Sequence, residues 1–229
     1  MARALAQAGA SVVVASRKAE ACTRVAAEIE ADTGRPCLGV GCHVGNWEDC
    51  DRLAEAAYDR FGRVDILVNN AGMSPIYKSL LDVTEELYDK VLGVNLRGPF
   101  RLSSFIGTRM VEAGGGSIIN VSSTAAVQPT AGVIPYAAAN AGLNAMTVGL
   151  SRAFAPKVRV NCIMPGPFLT DISKAWDMAA FEKRARKSIP LQRGGNPEEI
   201  VGAALYLASD ASSFTTGAVA LPGFVSQGR

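Results

Sequence analysis

The chain has 229 residues, 48% of them hydrophobic and 19% charged, with a formal net charge of +2. That length accommodates one domain with a well-buried core, and the near-neutral balance excludes nucleic acid or a membrane as a partner recognised by bulk charge. No apolar stretch is long enough to span a bilayer, and the first residues lack the charged, apolar, then small-residue order of a secretory signal, so the expected location is the cytoplasm.

In chain order, MARALAQAGA at 1–10 reads as a helix, followed by the short β-rich run SVVVAS at 11–16 and a second, CLGV, at 37–40. WEDCDRLAEAAYDRFG at 47–62 carries apolar residues at helical spacing; DILVNN at 65–70 is the next strand, and TEELYDKVLGVNLRGPFRLSSFIGTRMVEAG at 84–114 is a long helical pattern. SIINVSS at 117–123 returns to strand. VIPYAAANAGLN at 133–144 opens a helix that continues to about Phe154, where Pro135 suits the first turn and Tyr136 and Asn140 fall on one face. The strand VRVNCIM at 158–164, the helix PEEIVGAALYLASD at 197–210 and the strand GAVAL at 217–221 complete the series.

Strands that are apolar on both faces and alternate with helices imply a parallel sheet covered on both sides. The expected fold is a doubly wound, Rossmann-like α/β domain of three layers, and residues 1–229 contain no linker or repeat that would divide it. The stretch 168–193 interrupts the alternation with Trp176, Met178 and Phe181 among polar residues, and reads either as a lid over a ligand or as a surface excursion. Within it, EKRARK at 182–187 reads as a solvated helix face, with an acidic carrier or phosphate-bearing substrate as the other option. The five cysteines are odd in number and form no CxxC pair, so free, mostly buried thiols are expected. His43, the only histidine, has Cys42 beside it but no second ligand cluster that would make a metal site.

DILVNNAG at 65–72, Asn95 in GVNLRGPF, Ser123 in INVSS, Tyr136 thirteen residues later, and PGPFLT at 165–170 stand in an order and spacing that resembles the classical short-chain dehydrogenase/reductase family. The resemblance runs from Met1 to about Leu221. It implies that Asn69, Asn70, Ala71 and Gly72 form a wall of a dinucleotide site and that Ser123 holds a substrate oxygen while Tyr136 exchanges the proton. Ser122 is the neighbouring candidate, and the thirteen-residue interval favours Ser123. Asn95 corresponds to a helix-interior asparagine that helps to position a water. Pro165, Gly166 and Thr170 correspond to the segment over the nicotinamide, and His43 and Val44 to the adenine contact. The strand ending VVVASRK offers Ser16, Arg17 and Lys18 where an acidic residue would select NAD; a guanidinium suits a 2′-phosphate, so NADP is favoured, with NAD possible. Ile134, Met164, Phe168, Trp176 and Met178 are candidates for an apolar pocket or for core.

Four departures from the family pattern bear on activity. Asn140 stands where the family carries a lysine that lowers the phenol pKa, and an asparagine hydrogen-bonds without supplying charge. His43 replaces an aspartate. No first strand or glycine-rich phosphate turn precedes 1–10, and Gly114–Gly116 precedes a strand and reads as a loop; the expectation is that the natural protein carries upstream residues supplying both. LPGF, with Gly223 and Phe224, replaces the usual acidic-glycine ending. The resemblance implies an NADP-dependent oxidoreductase that interconverts a 3-oxoacyl or similar ketone with a secondary alcohol, working as a homodimer or homotetramer through the helices at 84–112 and 135–154. The competing expectation is a catalytically inactive binding or subunit-assembly module.

Overall fold

The computed structural model describes residues 1–170, 173 and 176–220. Helices and strands alternate as α1 (Ala2–Gln7), β1 (Val12–Ser16), α2 (Ala19–Thr33), β2 (Cys37–Gly41), α3 (Trp47–Phe61), β3 (Ile66–Asn69), α4 (Glu85–Leu92), α5 (Gly98–Glu112), β4 (Gly116–Val121), α6 (Ile134–Ala153), β5 (Val158–Ile163), α7 (Met178–Ser188), α8 (Val201–Ala208) and β6 (Val219–Ala220). Each strand expected from the sequence forms. The last residue of the GAVAL run, Leu221, and the ending that holds Gly223 and Phe224 lie outside the described residues.

Every strand pairing is parallel, but the strands fall into two sheets, β1–β2 and β3–β4–β5–β6. Burial follows that division. β4 and β5 have neighbours on both sides and bury most of their residues, whereas β2 and β3 are mostly half-buried and β1 runs from buried Val12 to exposed Ser16. The expectation of strands covered on both faces therefore holds for the centre of the larger sheet and relaxes where β1 and β3 each keep one paired edge among the described residues. α1 connects the two parts: Leu5 and Ala6 pack with Val12 and Ile29, while Met1 packs against the cluster of Ile119, Ile163, Ile200, Ala204 and Leu207 that also receives Ile66 and Val68 of β3. α3 lies against α5 on the opposite side, closing a core of Cys50, Ala54, Leu102, Ile106, Met110, Ile118 and Val160.

Local chemistry explains the helix ends. Asn46 accepts from the Asp49 amide at 3.1 Å, Glu48 and Asp49 occupy the first turn of α3, and Gly62 closes it at φ 74°. The pattern at 84–114 is not one continuous α-helix. Residues Gly93–Arg97 form a wider π turn between α4 and α5, which turns Asn95 inward until it is 4% exposed. The segment after β5 folds on itself: Phe168 bridges to Gly195 at its base, and Phe181, Ala185 and Ile189 bury against Leu169 and Trp176. Residues 182–184, 186 and 187 face solvent. Arg193 pairs with Glu199 through two 2.6 Å contacts, and that guanidinium holds the Glu199 carboxyl down at about 2. The five cysteines are free thiols, all but Cys37 buried. Among the described residues, no helix is long and apolar enough to cross a membrane.

Gly98 is required by close approach, because a Cβ there would lie 2.1 Å from the Val44 carbonyl oxygen. Gly98→Ala is expected to cost about 1–3 kcal/mol by overpacking. Chemical denaturation measures it, and an unchanged midpoint would show that the 44–45 loop yields freely.

Candidate active site

In a parallel sheet the carboxyl ends of all strands lie at one edge, where open α/β folds place their ligands. Ser16 ends β1, His43 and Val44 follow β2, Asn69 ends β3, Ser122 and Ser123 follow β4, and Pro165 follows β5. The strand ends of the larger sheet are tied together: the Ser122 amide donates to the Ile163 carbonyl at 2.9 Å and the Thr124 amide to the Pro165 carbonyl at 3.0 Å. This places the Ser123 turn directly beside the Pro165–Gly166 segment.

The two adjacent serines have different environments. Ser122 is 4% exposed and its hydroxyl receives the Cys162 thiol at 3.2 Å, so it belongs to the interior. Ser123 caps the 124–126 turn, accepting from the Ala125 amide at 3.2 Å, and its hydroxyl also meets the Tyr136 phenol. Burial pushes the Tyr136 phenol above its ordinary value, against a smaller downward pull from hydrogen bonding to Ser123 and Asn140. No charged group contributes to that balance among its causes. Asn140 is 3% exposed and its amide donates to the Tyr136 carbonyl at 2.8 Å, so the side chain turns back on its own helix rather than standing open for a ribose hydroxyl.

Asn95 clamps the loop after β3 with a reciprocal pair of bonds, accepting from the Met73 amide at 2.9 Å and donating to the Met73 carbonyl at 2.8 Å. Its Oδ1 also lies 3.0 Å from where a Cβ on Gly72 would be. Asn69 points the other way, into the interior, where it donates to Ser103 at 3.0 Å and to Asn120 at 2.9 Å. Asn70, Ala71 and Gly72 form an exposed shelf of small side chains. Sequence reasoning passed over Ser103, Asn120 and Thr147; a polar residue inside the apolar run SIINV was the available signal for Asn120. It also passed over Tyr77, which lies with Pro75, Leu87, Val91, Val133, Pro135 and Tyr136 around a shallow, largely apolar indentation.

Residues 1–221 match the family model described as enoyl-(acyl carrier protein) reductase. The chain belongs to the short-chain dehydrogenase/reductase family. It is similar to dehydrogenase/reductase SDR family member 4 of Oryctolagus cuniculus, 39% identical over 219 residues that cover 95% of this chain and 84% of the relative. Among solved structures it is similar to NADPH-dependent 3-quinuclidinone reductase from Rhodotorula rubra, with a TM-score of 0.90 and 30% identity, covering 96% of this chain and 83% of the other. It is likewise similar to a gluconate 5-dehydrogenase from Burkholderia cenocepacia in complex with NADP and tartrate, with a TM-score of 0.91 and 31% identity, covering 96% and 87%. As a short-chain dehydrogenase/reductase it is an NAD(P)-dependent oxidoreductase.

The side chains of this family member fit a dinucleotide at its two ends. Arg17 and Lys18 are exposed and carry no ion pair among the described residues, so both cations face solvent after β1. The Ser16 hydroxyl is already engaged with the Cys22 thiol at 3.0 Å. His43 accepts from the Gly45 amide at 3.2 Å through Nδ1, and its own amide is held by Asp49 at 2.9 Å. It lines an open concavity of about 640 Å³ with Gly45, Trp47, Asp49 and Arg97. At the other end, Pro165 and Gly166 are half-buried and Thr170 is exposed, its amide donating to the Phe168 carbonyl at 3.0 Å. Of the apolar pocket candidates, Met164 is 3% exposed, Phe168 packs with the core and Trp176 with Phe181, while Ile134 and Met178 are exposed, at 44% and 39%.

Because a hydrogen bond to the phenolate favours ionisation, Ser123→Ala is expected to raise the Tyr136 pKa further. A titration of the tyrosine ring carbons by NMR checks this. A midpoint that stays put or falls would mean that Ser123 does not touch the phenol in solution.

Proposed function

We propose that the chain reduces a lipophilic ketone, of the 3-oxoacyl kind or similar, to a secondary alcohol, with NADP as its preferred cofactor and NAD as a weaker substitute. The observation that carries this reading is the Ser123 turn, tied beside the Pro165–Gly166 segment by the Thr124–Pro165 bond, with the Ser123 hydroxyl among the influences on the buried Tyr136 phenol. When bound, the reduced nicotinamide would supply the hydride. Ser123 donates its hydroxyl proton to a hydrogen bond with the carbonyl oxygen, and Tyr136 gives up the phenol proton as charge develops there. The raised phenol keeps that proton in place near neutral pH, the state from which reduction starts.

In this reading Asn70, Ala71 and Gly72 let the nucleotide approach the backbone, with Asn69 and Asn95 anchoring the two ends of that wall. Pro165, Gly166 and Thr170 cover the nicotinamide side. His43 and Val44 meet the adenine, and Arg17, with Lys18, receives the 2′-phosphate. Ser16 contributes through its position rather than its hydroxyl, and Asn140 by orienting the Tyr136 turn. The segment 168–193 acts as a substrate lid, and residues 1–229 work as a single domain. The site is placed in the cytoplasm, in a homodimer or homotetramer formed through α4, α5 and α6, where Tyr88 and Phe100 are each 44% exposed.

The test is oxidation of NADPH and of NADH with a panel of aliphatic and aromatic ketones. Tyr136→Phe is expected to lower kcat by about 10² or more, the usual scale of acid–base help. Asn140→Lys is expected to lower the phenol pKa by about 1–3 units and to raise kcat. Arg17→Glu is expected to reverse the preference for NADPH. Neither cofactor binding nor turnover, with no gain from lysine at 140, would favour a binding or assembly module instead.

A further inference from the structure

The helix that carries Tyr136 begins with a defect. Pro135 has no amide hydrogen, so the Ala131 carbonyl, one turn earlier, has no donor at the position a regular helix would provide. The Ile134 amide is a first-turn donor, and Val133, at the N-cap, supplies no side-chain acceptor. Two backbone groups of opposite polarity therefore stand unserved within five residues of Tyr136.

Tyr77 serves both. Its phenol donates to the Ala131 carbonyl at 2.9 Å and accepts from the Ile134 amide at 2.8 Å, across 54 and 57 residues of sequence. The loop that presents Tyr77 is fixed at its other end, where Asn95 holds both backbone groups of Met73. A continuous strap thus runs from the π turn through Met73 and Tyr77 to the start of α6. Pro75, Tyr77, Val133, Pro135 and Tyr136 also border the same indentation, so the capping residue and the residue it serves line one surface.

We propose that Tyr77 is a positioning residue for Tyr136, capping from outside a helix start whose own N-cap residue, Val133, offers no side-chain acceptor. The inference rests on the reading of Tyr136 as proton donor. Its hydroxyl is the working part: the ring can be kept and the cap removed. A β-hydroxyl cap such as serine or threonine sits within the chain it caps, whereas this one makes the geometry of α6 depend on the loop that follows the nucleotide wall.

Tyr77→Phe tests it in the whole chain. Amide exchange over residues 131–137 is expected to quicken by about 2- to 30-fold, the equilibrium equivalent of losing one helix cap. The Tyr136 ring-carbon titration is expected to move down, toward the ordinary phenol value, as the loosened helix start admits water. With a ketone substrate, kcat is expected to fall while KM holds. Unchanged exchange would overturn the cap, and faster exchange with an unmoved Tyr136 titration would reduce Tyr77 to a structural residue and overturn the positioning role. Absence of ketone turnover in the unsubstituted protein would sink the oxidoreductase chemistry proposed for this site, and the exchange and titration measurements would still decide the part played by Tyr77.

Discussion

The site depends on a line of buried amides that locks the register of the central strands. Asn69 and Asn120 are paired residues of β3 and β4, and their side chains meet at 2.9 Å. Asn120 continues to Thr147 at 2.9 Å, and Thr147 closes on the Leu143 carbonyl within α6 at 2.9 Å. Asn120 and Thr147 are fully buried and Asn69 is 5% exposed. A one-residue slip of either strand would strand these groups in an apolar interior, at about 1–3 kcal/mol for each unsatisfied group. Because the same line reaches α6, the strand ends that present Ser123 and the helix that presents Tyr136 are held in one frame. The Asn69 Oδ1 is buried with no partner among the described residues, so one acceptor of the network is left unsatisfied.

The division into two sheets sets a different condition at the strand ends that carry Arg17 and His43. Arg17 and His43 stand on the two-stranded part, while Asn69–Gly72, Ser123 and Pro165 stand on the four-stranded part. Among the described residues, what joins them is packing rather than a shared backbone ladder: Met1 in the apolar cluster that also receives Ile66 and Val68, Cys50 and Ala54 against the α5 face, and Gly98 against the Val44 carbonyl. Arg97 adds one polar link, donating to the Gly45 carbonyl at 2.7 Å. A ligand that touched both parts would gain from this arrangement only as far as those contacts keep their spacing. The close approach at Gly98 therefore matters more here than it would in an uninterrupted sheet.

Much of the fold was legible because periodicity reports burial, and burial is what a sheet between helices imposes. SVVVAS, SIINVSS and VRVNCIM gave their strands within a residue or two, and NNAG, Ser123, Tyr136 and the Pro165–Gly166 pair gave the family. The long helical pattern at 84–114 concealed the π turn, since one extra residue in a turn changes the facing of Asn95 without disturbing the hydrophobic spacing on either side. The thirteen-residue interval favours Ser123 over Ser122, and the two differ in surroundings, an interior for Ser122 and a turn for Ser123. Tyr77 was not legible at all. Its partners are two backbone groups more than fifty residues away, and nothing in IYKS marks a tyrosine whose hydroxyl is needed at the start of another helix.

Asn140 bears on the direction of the proposed chemistry. With burial and two hydrogen bonds as the forces on the phenol, Tyr136 is held protonated at neutral pH. Reduction asks that phenol to give up its proton to an alkoxide as it forms, which a neutral site allows. Oxidation asks for the phenolate first, and burial, which raises this phenol above its ordinary value, disfavours that anion at neutral pH. A cation one turn along would lower the phenol pKa and make it a readier proton donor. The amide at 140, folded back on the Tyr136 carbonyl, supplies no such charge, so it holds the turn that presents the phenol and leaves its acidity to burial and hydrogen bonding.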